Sequence, residues 1–124
     1  CTGLGKAILA FLPAEEVDAY LQRVEFRPMT PNTITSVAAM KAELAKIRKI
    51  GFAIDNEELS IGLRCVAAPI FDYAGRSRFA LSISGPTHRI PDARIDSMAS
   101  KVKDVCRRLT EKMGGAGSER KGAQ

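Results

Sequence analysis

The chain has 124 residues, 45% hydrophobic and 27% charged, which is enough to bury one core and too little for two well-built domains. Its formal charge of +5 is unevenly spread: residues 1–100 hold 12 Lys or Arg against 11 Asp or Glu, and the last 24 hold 7 against 3. With few aromatic residues and no Trp to stack on bases, a basic end of this kind reads as a solvated terminus, and nucleic-acid binding by the segment itself is not expected.

In chain order, Thr2 is a good N-cap for a short helix carrying Leu4, Ile8, Phe11 and Leu12, with Gly3 and Gly5 in its first turn. Pro13 breaks it. Residues 14–22 predict a second helix with Glu15 and Glu16 in the first turn and Val17, Tyr20 and Leu21 on the buried side. Residues 27–35, rich in Pro and Thr, predict an extended or looped stretch. Thr35 or Ser36 caps a third helix with the stripe Val37, Met40, Leu44 and Ile47, ended by Gly51. From Phe52 the period becomes two, predicting a short strand through Asp55. Two longer strands, 64–71 and 76–84, flank the turn Asp72-Tyr73-Ala74-Gly75. A last helix starts near Pro91 and carries Ile95, Met98, Val102, Val105, Leu109 and Met113; Gly114-Gly115 ends it. Residues 114–124 are expected to form a disordered tail.

Closing the hairpin with Phe71 opposite Arg76 sets Cys65 opposite Ser82, Val66 opposite Leu81 and Ala67 opposite Ala80. Val66, Ala68, Ile70, Phe79, Leu81 and Ile83 then share a core face packed on helices. The other face shows Cys65, Ala67, Ala80, Ser82 and Ser84, joined by Ala53 and Asp55 from the preceding strand. Such small side chains leave room for a small polar ligand beside Asp55, Cys65, Ser82 and Ser84. They equally suit solvent or a closely packed helix, and patterning alone does not separate these readings. The amides at Gly3-Leu4 form a second, weaker candidate, a place for a carboxylate.

Catalytic signals are thin. The single His, His88, sits among turn residues and reads as a loop or cap residue. No nucleophile elbow surrounds Ser82 or Ser84. Cys65 lacks the cationic partner of a reactive thiolate, and a metal site from Cys1, Cys65 and Asp55 would have no His nearby. Three cysteines at wide spacing are expected to be reduced thiols. No apolar run is long enough to span a bilayer and no signal-peptide pattern opens the chain, so a cytoplasmic protein without a membrane partner is expected. A start at Cys1 that runs almost directly into a helix reads as a piece of something longer.

The motifs Cys1-Thr2-Gly3-Leu4-Gly5-Lys6-Ala7, Leu9-Ala10-Phe11-Leu12-Pro13 and Thr30-Pro31-Asn32-Thr33-Ile34-Thr35 occur in this order. They are followed by Gly51-Phe52-Ala53-Ile54-Asp55, Glu57-Glu58, the run from Gly62 to Ile70, and Leu81-Ser82-Ile83-Ser84-Gly85-Pro86. Over residues 1–113 the set resembles the effector domains of the IclR (isocitrate lyase regulator) family of bacterial transcription regulators. The resemblance implies an α/β (α+β), GAF-like sensor with a mainly antiparallel sheet and flanking helices. It also implies ligand contacts at Gly3, Leu4, Asp55, Cys65, Ser82 and Ser84, which include the residues the face analysis selects. The implied ligand is a metabolite, in the family often a small organic acid; here a small anionic metabolite, a keto, sugar or aromatic acid, is expected, with Leu4, Leu59 and Leu63 as apolar walls. No cofactor, metal or enzymatic activity is implied. A homodimer or homotetramer is expected, touching DNA only through a winged helix-turn-helix that precedes Cys1 in family members, as do a linker helix and further strands of the domain. A small enzyme using Cys65, and a pure oligomerisation module, are the competing expectations.

Overall fold

The computed structural model describes residues 2–114, so the tail expectation lies outside the described residues from 115 onward. The elements are α1 (Gly3–Leu9), α2 (Ala14–Arg23), α3 (Val37–Ile50), β1 (Ala53–Asn56), β2 (Leu63–Phe71), β3 (Ser77–Pro86) and α4 (Asp92–Lys112). Local chemistry sets most boundaries. Thr2 Oγ1 accepts from the Gly5 N–H at the head of α1. Ser36, and not Thr35, caps α3 through a 3.1 Å bond from the Ala39 N–H. Gly51 closes α3 in the left-handed region at φ 88°, where a side chain would be strained. Pro91 is the N-cap of α4, one residue ahead of the helix proper.

The sheet is antiparallel in the order β1-β2-β3. Its register corrects the sequence expectation: Cys65 lies opposite Ser84, Val66 opposite Ile83, Ala67 opposite Ser82 and Pro69 opposite Ala80. The cause is the Asp72 side chain, whose Oδ1 accepts from the N–H groups of both Ala74 and Arg76. The connection therefore runs from 72 to 76, and an irregularity follows between Ile70 and Phe71. The slip is two residues, so every side chain keeps its face.

Helix α4 covers β2 on one side, burying Val66, Ala68 and Ile70 against Met98, Ala99, Val102 and Cys106. Two expectations fail here. Phe79 and Ile83 share that face yet are 46% and 38% exposed, because β3 is an edge strand and α4 lies chiefly over β2. The apolar stripe of α4 also drifts. Val105, Leu109 and Met113 are exposed, and Cys106 and Thr110 take the buried positions. Thr110 Oγ1 accepts the Phe71 N–H at 3.0 Å, satisfying a donor at the strand irregularity. The opposite face packs on α1. Ala53, Cys65, Ala67 and Phe71 meet Ala7, Ala10 and Phe11, with Leu21 of α2 and Met40, Leu44 and Ile47 of α3 in the same cluster. Among the described residues no helix is long and apolar enough to cross a membrane.

Candidate functional site

Helix α1 reaches the sheet through Gly3. A Cβ there would stand 3.0 Å from Cys65 Sγ, 3.6 Å from Asp55 Cβ and 3.7 Å from Ala67 Cβ. Any side chain there would require the thiol or the helix to give by a few tenths of an ångström. The other end of α1 is fixed where Ser77 Oγ donates to the Ile8 carbonyl at 2.8 Å. The small-residue face is thus partly filled by a packed helix, one of the two readings that patterning left open.

What remains uncovered is on β3. Asp55, Cys65 and Ser84 are directly opposed across the three strands, and Ala53, Ala67 and Ser82 form the next row. Directly opposed Cβ atoms lie about 4.5–5.5 Å apart. Asp55 and Cys65 are buried, Ser82 is half-buried and Ser84 is exposed. Leu4 is 40% exposed and Leu59 46%, and Leu63, on the same face as Cys65, is half-buried. The structure therefore gathers Gly3, Asp55 and Cys65 in contact, sets Ser84 in their row and Ser82 beside it, and leaves Leu4 toward solvent. Thr2 takes the Gly5 N–H, so the Gly3 and Leu4 amides remain as donors at this end of the helix.

Lys6, Glu43 and Glu58 were not singled out from sequence. The Lys6 side chain is fully buried, and its Nζ donates to Glu43 Oε2 at 2.8 Å, to both carboxylate oxygens of Glu58 at 3.0 Å, and to the Ile54 carbonyl at 2.6 Å. The Glu58 N–H in turn donates to Asp55 Oδ1 at 2.9 Å. The Thr30 and Thr33 hydroxyls donate to the carbonyls of Glu57 and Glu58. This explains the Thr30-Pro31-Asn32-Thr33 motif as a brace for the loop after β1, where Glu57 has φ 58°. A signal was available: Lys6 sits on the α1 side that otherwise carries Gly3, Ala7 and Ala10.

The remaining chemistry is structural. Cys65 and Cys106 are free thiols; Cys1 lies outside the described residues. Burial pushes the Cys106 thiol up to about 11, and it donates to the Ala68 carbonyl. His88 is exposed in the turn after β3. Among the described residues no group of three or more His, Cys, Asp or Glu is placed to hold a metal ion.

The geometry has counterparts among known proteins. The family model described as bacterial transcriptional regulator IclR C-terminal matches residues 1–111. The HTH-type transcriptional regulator BhcR of Paracoccus denitrificans is 41% identical over 109 residues, 88% of this chain and 39% of its own length. The crystal structure of the Thermotoga maritima IclR superposes with a TM-score of 0.88 at 44% identity, over 91% of this chain and 46% of that one. The C-terminal domain of the Escherichia coli regulator KdgR gives 0.86 at 38% identity, over 91% and 69%. The chain thus spans about two fifths of the length of the curated relatives it matches, and those relatives are named as transcriptional regulators and repressors. Matched along nearly its whole length in sequence and in fold, the chain belongs to the IclR family of bacterial transcriptional regulators, as a C-terminal part.

Proposed function

We propose that this chain is the ligand-sensing part of a cytoplasmic transcription regulator and that a small organic acid binds over the row Asp55, Cys65 and Ser84. The observation that carries this reading is the row itself: three polar side chains from three strands, with the first turn of α1 resting on two of them and the third left open. The Ser82 and Ser84 hydroxyls and the Gly3 and Leu4 N–H groups donate to the carboxylate. Asp55 accepts from a ligand hydroxyl, which keeps its charge from facing the carboxylate directly. Leu4, Leu59 and Leu63 provide the apolar walls. Binding shifts the population of homodimer or homotetramer arrangements and so the spacing of DNA-binding domains carried outside this chain.

Calorimetric titration of the intact regulator with keto, sugar and aromatic acids tests the reading. At least one acid binds, and Asp55→Ala or Ser84→Ala weakens it tenfold or more, about 1.4 kcal/mol. An affinity that survives both substitutions contradicts the site. An oligomerisation module, the competing use of a small-residue face, predicts a molecular size that no acid alters.

A further inference from the structure

We propose that Lys6 is a positioning residue of this site: it fixes the loop that carries Glu58 against Asp55, and it cancels carboxylate charge beneath the place of the acid. The inference rests on the reading above. Lys6 lies one turn beyond Gly3, on the same side of α1. Its ammonium is buried, yet all its donors have partners, supplied by α3, by β1 and by the loop after β1. A lysine is a poor choice if adhesion between these elements were its whole purpose, because a well-packed hydrocarbon in place of a buried ion pair is often as stable or more so.

Charge gives the lysine a purpose. Glu43, Glu58 and Asp55 are three carboxylates joined around one ammonium, the last through the Glu58 N–H. Without Lys6 an incoming anion would meet these carboxylates uncompensated. Geometry gives it a second. The Glu58 carboxylate that Lys6 holds also accepts from the Asn56 N–H at 3.2 Å, and the neighbouring Glu57 sits at φ 58°. That conformation is costly for a residue with a side chain, so the loop depends on its anchors, and through the Glu58 N–H so does the orientation of Asp55.

Cys65, in the site row and against Gly3, is a reporter that needs no knowledge of the effector. In the intact regulator with every other cysteine replaced, its labelling rate is measured with dianionic 5,5′-dithiobis(2-nitrobenzoate) and with neutral 4,4′-dithiodipyridine. A change in local opening, or in thiolate fraction, moves both rates together; a change in local charge moves their ratio. Lys6→Met is expected to lower the anionic-to-neutral ratio by about fivefold or more, as the loss of a unit charge within roughly 10 Å of protein predicts. Glu43→Gln, at the less buried partner, raises it, which keeps the test available if Lys6→Met does not fold. Ratios unchanged in both variants would make Lys6 a strut and overturn the proposal. Acid binding to the unaltered regulator is read separately by calorimetry. A failure there removes the ligand assignment whatever the thiol ratios show.

Discussion

A methyl group on residue 3 would press on Cys65 Sγ at 3.0 Å, a contact that bears on how closely the first turn of α1 approaches the sheet. Gly3→Ala gains some helix propensity but forces the thiol or the helix to move, so a net loss of about 1 kcal/mol is expected in urea denaturation. Cys65→Ala in the same chain makes room. The double-mutant cycle should therefore show the Gly3→Ala cost shrinking or changing sign, and purely additive losses would mean that the contact does not limit the approach. Asp55, Cys65, Ser82 and Ser84 were legible because strand parity alone assigns their face. Lys6 was not. Its partners Glu43 and Glu58 are 37 and 52 residues away, and a lysine near the start of a helix ordinarily reads as a solvated side chain.

At the scale of elements, periodicity and capping chemistry placed the four helices and three strands but not every face: Tyr20 and Val37, expected on buried stripes, are 37% and 40% exposed, and two polar side chains override the repeat elsewhere. Asp72 folds the hairpin connection through two backbone donors, which moves Phe71 by one to face Ser77, and the irregularity beside it adds a second step, so the residues beyond keep their faces. Thr110 does the equivalent for α4. An apolar-only count passes over it in favour of Leu109, yet Thr110 is the residue that meets the Phe71 N–H in the buried layer. Thr110→Val keeps the shape and removes the acceptor. It should destabilise the domain by about 1–3 kcal/mol, whereas Thr110→Ser, which keeps the accepting hydroxyl, should retain most of the stability. A Val variant as stable as the parent would show that the donor finds another partner.

For the molecule as a whole, the alternation of helical and extended periods, together with the ordered motifs, carried the fold class and the family. The depth of each layer did not follow. Which face of β3 is covered depends on where α4 crosses the sheet, and a one-dimensional pattern does not contain that crossing; hence Phe79 and Ile83 were expected inside and stand exposed. The site is affected in the same way. Parity assembled its residues, but the packing of α1 over β1 and β2 and the openness of Ser84 emerged only in three dimensions. The most direct measurement is amide chemical-shift mapping on the isotope-labelled intact regulator, titrated with the acid that calorimetry selects. The largest changes are predicted at Gly3, Leu4, Ser82 and Ser84. Changes concentrated instead in the 290 Å³ groove between α1, α2 and α3, at Leu12, Val17, Leu44 and Arg48, would contradict the account.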